Sequence, residues 1–162
     1  MTPFPEDIDR TAFAHWLSGF VAGEGCFYLG WARLKTYPRP KAIFTIQLRA
    51  DDIEILQQIR SYFGCGKPIR VNKRKASKPV SAYSVNTNAD AYNIICPHFT
   101  KFPLLAKKQH DFLIWKEAVE YIHAIALENT QLKWTPKRRG HINKLILALK
   151  KQREFIHPEP SE

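Results

Sequence analysis

An acid held between two glycines, Gly23-Glu24-Gly25, stands where one hydrophobic periodicity gives way to another, and this constrains the chain more than any other feature. Before it, Phe13, Trp16, Leu17, Phe20 and Val21 recur at intervals of three and four, the single apolar stripe of a helix that Thr11 can cap. The glycines must stop that helix. After them, Cys26 to Arg49 is rich in aromatic and β-branched residues and is interrupted by Pro38-Arg39-Pro40, the composition of two strands joined at a turn. In the second strand Ala42, Phe44, Ile46 and Leu48 alternate with Lys41, Thr45, Gln47 and Arg49, which sets a core face against a polar, basic one.

The same order of patterns then returns. Asp51 with Glu54 has the form of a capping box, and Ile55, Leu56, Ile59 and Phe63 supply the apolar face of a second helix, closed by Gly64 and Gly66. In a second hairpin Ile69 and Val71 alternate with Arg70, Asn72 and Arg74, the loop runs from Lys73 to Pro79, and Tyr83 with Val85 marks the returning core face. The remainder reads as helices: a short one from about Asn88, a long one from Leu104 to His123, and a last one opened by Thr135-Pro136 and running through Leu145, Ile146 and Leu149. The predicted fold is α+β, one domain over residues 1–162, with an antiparallel sheet covered by helices on one face and bare on the other. The two halves look like a structural duplication, without matching sequence at a fixed period.

Charge narrows the partners. A formal net charge of +10 attracts polyanions, nucleic acid before anionic membrane. No stretch of about 20 apolar residues is present, and MTPFPEDIDR lacks the basic-then-apolar run of a signal peptide, so the expectation is a soluble, unexported protein without a membrane partner. Cys26, Cys65 and Cys96 fit neither a disulfide framework nor a structural zinc site and read as buried free thiols. The six histidines show no metal-binding spacing.

The cations are not spread evenly. Between Glu24 and Asp51 the charged residues are Arg33, Lys35, Arg39, Lys41 and Arg49, and the second hairpin carries Lys67, Arg70, Lys73, Arg74, Lys75 and Lys78, with no acid in either hairpin although the chain has 15 to distribute. A merely solvated face mixes both signs, so two acid-free hairpins point to a phosphate backbone. A two-stranded ribbon fits the major groove of B-DNA and not the deep, narrow one of A-form RNA, which favours double-stranded DNA. Phe27, Leu29 and Trp31 read as core, which turns Tyr28 outward but puts Arg33 and Lys35 in the core register unless the hairpin tip bulges or leaves the core. Arg70, Asn72 and Arg74 face outward, with Arg suited to guanine and Asn to adenine or phosphate.

The first helix carries a further clue. Ala14, Ser18 and Ala22 lie on one face with His15, Gly19 and Gly23 beside them, so two such helices can approach closely, with Ser18, Gly19 and Ala22 at the contact. Their crossing would set two Glu24 carboxylates side by side, which repel unless divalent cations lie between them; oxygen ligands suit Mg²⁺, which also organises phosphodiester hydrolysis. An ordinary core helix ended by glycines shares the small residues. What distinguishes this one is the combination of acid, aromatic strand and two basic hairpins in order.

Leu17-Ser18-Gly19-Phe20-Val21-Ala22-Gly23-Glu24-Gly25, followed by Cys26-Phe27, resembles the signature of the LAGLIDADG homing endonucleases. The likeness extends to Asp51-Asp52-Ile53-Glu54-Ile55-Leu56 with Phe63-Gly64-Cys65-Gly66-Lys67, to Phe102-Pro103-Leu104-Leu105-Ala106-Lys107-Lys108 with Asp111-Phe112, and to Thr135 through Leu149. It implies an αββαββα core whose sheet forms a saddle over DNA, with metal-dependent cleavage of both strands at a long pseudo-palindromic target, the reaction of intron homing. One motif is visible, so a homodimer is implied. By position Glu24 is the metal-binding acid, assisted by the Gly23 carbonyl. Gln47 and Arg49 correspond to residues that organise water and phosphate, with Thr45 a competing match for the first role, and Lys108 or Lys107 to the active-site lysine, Lys108 preferred. Ala22 departs from the pattern where the name motif has its first acid, which is not the metal ligand. The rival expectations are an RNA maturase or a DNA-binding regulator on the same fold; a purely binding protein has no need of Glu24. The setting implied is a bacterium or the organelle of synthesis.

Overall fold

Asp9, rather than Thr11, starts the first helix: its Oδ1 accepts the Ala12 amide at 2.6 Å, and α1 runs Arg10–Glu24 in the computed structural model. That bond satisfies one of the orphan amides of the first turn, at a gain of about 1 kcal/mol. The structure describes residues 3–32, 38–74, 77–128 and 133–154, and for 73, 74 and 77 the backbone alone. Along it follow β1 (Gly25–Ala32), β2 (Arg39–Arg49), α2 (Ile53–Phe63), β3 (Arg70–Arg74), β4 (Ser77–Val85), the single turn α3 (Asn88–Asp90), α4 (Cys96–Lys101), α5 (Ala106–Leu127) and α6 (Pro136–Gln152). The αββαββα order and the α+β class expected from the sequence are present.

The four strands form one antiparallel sheet in the order β1-β2-β4-β3. Its inner face presents Phe27, Leu29, Ala42, Phe44, Ile46, Tyr83 and Val85, all buried beneath the helices. Phe27 is the hub: its ring lies 5.3 Å from Phe44, 5.8 Å from Phe99, 5.5 Å from Phe112 and 5.2 Å from Trp115. These tilted and offset contacts join sheet, α4 and α5, each adding about 0.5–1.5 kcal/mol beyond the area it buries. The helices begin and end as their chemistry requires. Gly64 closes α2 in the left-handed conformation (φ 68°), and Thr135 opens α6 by accepting the Arg138 amide ahead of Pro136.

Several expectations are corrected. Asp51 does not cap α2; Ala50–Asp52 is a 3₁₀ turn, and the Asp51 carboxylate takes the Arg49 guanidinium instead. The second hairpin pairs further than expected, with Arg74 opposite Ser77, so the segment read as a loop is largely strand, with a bulge between Asn72 and Arg74. Pro38-Arg39-Pro40 is not a turn throughout, since β2 already includes Arg39 and Pro40. Trp16 was placed in the core stripe of α1 but is 42% exposed, stacked on Phe20 at 4.9 Å. Val71, on the edge strand, is also exposed, and Cys26 and Cys65 are only half-buried.

Candidate active site

The α1–β1 junction is unusually tight. A Cβ on Gly25 would sit 2.7 Å from the Val21 carbonyl oxygen, so glycine alone allows the chain to leave the helix straight into the sheet. The Gly25 amide donates to the Val21 carbonyl as the helix ends, which leaves Gly23 and Glu24 exposed at its C-terminus. Pairing then fixes what lies beside them. Gly25 is opposite Ile46, the pair that ends the β1–β2 ladder, so Glu24 and Gln47 each lie one residue beyond it. From the other side α5 brings Lys108, whose Nζ donates to the Gly25 carbonyl at 2.7 Å. Glu24, Gln47 and Lys108 are therefore gathered around the Gly25–Ile46 pair; Lys107, one residue earlier, is exposed and makes no such contact among the described residues.

Their neighbours differ in freedom. The Thr45 hydroxyl donates to the Tyr83 carbonyl and lies 2.9 Å from Ser84 Oγ, so its bonding capacity is largely spent on the sheet. Gln47 is exposed, and Arg49 is engaged by Asp51 in a pair whose side chains are each 61% exposed. The Arg49 guanidinium holds the Asp51 carboxyl below the usual carboxylate range. Solvent screening makes such a pair weak, so it can open to an incoming phosphate at small cost.

Around the junction spreads the uncovered face of the sheet. Register aligns its side chains in rows: Cys26, Thr45 and Ser84; Gln47, Ala82 and Arg70; Arg49, Val80 and Asn72. Tyr28 faces Ile43 and lies over Gly30, where a Cβ would collide with its ring. With Trp31, Lys41, Thr45 and Asn86 it borders a shallow depression of about 600 Å³. Among the described residues the side chains of Arg39, Lys41, Gln47, Arg70, Asn72 and Lys78 make no internal hydrogen bond or ion pair, and Lys67 stands exposed just before β3. Arg33, Lys35 and Lys75 lie outside the described residues, as do the side chains of Lys73 and Arg74.

One interface assignment is corrected. Ser18 is 5% exposed, its hydroxyl donating to the Phe102 carbonyl at 2.8 Å and standing 3.2 Å from that of Ala14. It faces into the chain, as Ala14 does. The outward small face of α1 is the other one: among the described residues nothing lies within 4 Å of a Cβ built on Gly19 or Gly23, and Ala22 is half-exposed between them. Two further residues belong to this region: Asp111, which the family resemblance includes without a role, and Arg153, which no sequence pattern marks. Buried Asp111, one turn beyond Lys108, pairs with Arg153 from the end of α6. An acid within the apolar stripe of Phe112 and Trp115 was the available signal, since a buried carboxylate demands a partner.

The chain belongs to the LAGLIDADG endonuclease family, whose model matches residues 17–119. A 50.9 kDa protein in ND4 intron 1 of Podospora anserina is 35% identical over 111 residues, 65% of this chain and 23% of that protein. Probable intron-encoded endonuclease 3 of Neurospora crassa is 32% identical over 120 residues, 73% of this chain and 21% of its own length. The chain thus spans under a quarter of the length of these relatives. Among solved structures, the I-SmaMI LAGLIDADG homing endonuclease bound to cleaved DNA matches 94% of this chain and 49% of its own with a TM-score of 0.74 at 24% identity. The homing endonuclease I-TnaI matches 91% of this chain and 95% of its own, with a TM-score of 0.69 at 24% identity. Both share the fold. Among the described residues no helix is long and apolar enough to cross a membrane.

Proposed function

We propose that this chain is the cleaving unit of a site-specific endonuclease that makes double-strand breaks in duplex DNA, acting as a homodimer on a pseudo-palindromic target. The observation that carries this reading is the gathering of Glu24, Gln47 and Lys108 around the Gly25–Ile46 pair, at the margin of a sheet face whose strands bear cations and no acids. A face of that kind takes up a phosphate backbone, and a carboxylate facing it has a purpose only if it holds a cation. Family membership and the intron-encoded relatives support the same reading.

The residues present suit half of a metal site. Among the described residues no group of three or more His, Cys, Asp or Glu is gathered in one place. Glu24, with the Gly23 carbonyl at the negative end of the α1 dipole, offers hard oxygen donors of the kind Mg²⁺ prefers, and a second copy of Glu24, phosphate and water would complete its six. A divalent ion so held supplies an activated water and neutralises the phosphate. The protein's part is positional. Gln47, unbonded where Thr45 is tied down, orients the attacking water; Lys108 stabilises charge that develops on the phosphate; Arg49 exchanges Asp51 for a backbone oxygen. Lys41, Lys67, Arg70 and Asn72 bind and read the duplex.

A homodimer is favoured because one copy of the motif is visible and because the Gly19–Gly23 face of α1 is open among the described residues. The ND4 intron named for the Podospora anserina relative makes a mitochondrion the favoured setting. The test is to incubate the protein with a fully randomised duplex library, its two half-sites independent, and sequence what is cut. Cleaved sites should share two-fold symmetry and vanish when the divalent ion is chelated. No cleavage of any member with Mg²⁺ or Mn²⁺ would reject the reading.

A further inference from the structure

The backbone of β1, immediately after Glu24, is held by side chains from α5 and from the C-terminal cap of α6. Lys108 Nζ donates to the Gly25 carbonyl at 2.7 Å, an Arg153 η-nitrogen to the Phe27 carbonyl at 2.6 Å, and Trp115 Nε1 to the Tyr28 carbonyl at 3.1 Å. Arg153 has a second bond, from Nε to Asp111 Oδ2 at 2.9 Å, and Asp111 is only 7% exposed at its side chain. Lys108 and Asp111 are three residues apart on α5, neighbours on one helical face with Cβ atoms about 5–6 Å apart. A buried carboxylate next to a lysine ordinarily pairs with it. Here the carboxylate takes the guanidinium arriving from α6, and the lysine turns to the junction instead.

We propose that Arg153 is a positioning residue: by occupying Asp111 it prevents that carboxylate from capturing Lys108 and so keeps the ammonium at the α1–β1 junction beside Glu24. This rests on the functional reading above for its consequence in cleavage, and on the three bonds alone for its structural content. An Arg serves better than a Lys because one planar fork reaches both a carboxylate and a carbonyl oxygen. If Arg153 is lost, Asp111 is left buried without a counter-charge; of the two cations one turn earlier on α5, Lys107 is exposed and Lys108 is half-buried, so Lys108 is the one placed to reach a buried carboxylate.

Two variants separate this role from simple support of the fold. Arg153→Met should lower the single-turnover cleavage rate at least tenfold while leaving the Kd for target DNA within about twofold. Adding Asp111→Asn should restore most of the rate, because an uncharged amide no longer draws Lys108 away; a purely structural pair would leave the double variant as slow as the single one or slower. Crystal structures of both read the same point without activity. Lys108 should lie on Asp111 in Arg153→Met and return to the Gly25 carbonyl in the double variant. Lys108 remaining on Gly25 in Arg153→Met, or a double variant with no recovery, would overturn the proposal. Should the wild-type chain cut no DNA, the functional reading falls, and the position of Lys108 in these two structures still decides the inference.

Discussion

At the α1–β1 junction the cations Lys108 and Arg153 are held, and across the open face of the sheet most cations are not. Lys108 is tied to the Gly25 carbonyl and Arg153 to Asp111 and the Phe27 carbonyl, within a few residues of Glu24. Arg39, Lys41, Arg70 and Lys78 carry the same kinds of charge and make no internal bond among the described residues. The contrast fits the roles proposed for the two regions. A group that stabilises developing charge is worth most when fixed beforehand, since it then costs no reorganisation at the moment of reaction. A group that follows a phosphate backbone must adapt, and ordering each long side chain on binding costs about 0.5–1.5 kcal/mol.

The largest effect expected from breaking this contrast is on the held side. Lys108→Met keeps the aliphatic stem and removes the charge, and should lower cleavage by about 10²–10³ with little change in DNA affinity. Rapid-quench cleavage beside equilibrium binding measures both, and a loss of affinity equal to the loss of rate would move Lys108 to the adaptable group.

Gly19→Leu asks whether the outward face of α1 meets a second copy. A Cβ there meets nothing within 4 Å among the described residues, and leucine is the better helix former, so the thermal stability of the monomer should not fall. Sedimentation on target duplex should then show one chain where the unaltered protein shows two. Unimpaired dimers would mean that this face is not the contact.

On the adaptable side two kinds of contact can be told apart. Arg70→Ala should relax preference at one base position by about 1–3 kcal/mol, whereas Lys78→Ala should weaken binding to every sequence alike and flatten the salt dependence by about one unit. Competition binding against single-base variants at several salt concentrations measures both. Identical behaviour of the two variants would erase the distinction.

The smallest effect concerns a titratable group that takes no part in either region. His98 packs 5.0 Å from Phe63 and 4.7 Å from Phe99, its Nε2 is buried without a partner among the described residues, and burial pushes its pKa down to about 4. In the unfolded chain an imidazole titrates near 6.5, so between those values the unfolded state binds a proton the folded state does not. Stability contributed by the neutral ring is complete above about pH 6.5 and is lost as pH falls toward 4, by at most about 1.4 kcal/mol per unit. Denaturation midpoints from pH 7 to 4.5 should show that slope, and His98→Phe should flatten it.

Much of this arrangement could be read from residue order. Period-two alternation in β2 placed Phe44 and Ile46 inside and Gln47 outside, and glycine at 25 followed an acid that the structure leaves exposed at the same end of the β1–β2 ladder as Gln47. What the sequence could not reveal depends on distant partners. Ser18 and Gly19 are both small and adjacent on the helix; only the Phe102 carbonyl, 84 residues from Ser18, decides that the first turns inward and the second outward. Asp111 and Arg153 are 42 residues apart on different helices, and no periodicity links them. Thr11 looked like a cap because it precedes the apolar stripe, yet Asp9, two residues earlier, has the oxygen that reaches an amide. Lys108 over Lys107 was a preference by position, and α5's rotation about its axis is what brings Lys108 to Gly25.

The most direct measurement is on Glu24→Gln, which keeps the shape and hydrogen-bonding capacity of the side chain and removes the charge that would hold a divalent ion. Target duplex is incubated with each protein in Mg²⁺, in Ca²⁺ and with chelator, and cleavage and binding are followed on the same samples. The unaltered chain should cut in Mg²⁺, bind with little cutting in Ca²⁺ and stop with chelator. Glu24→Gln should bind at least as tightly and cut slower by three orders of magnitude or more, about 4 kcal/mol of transition-state stabilisation. Cleavage by Glu24→Gln at the unaltered rate would mean that the acid between the two glycines is not where the chemistry takes place.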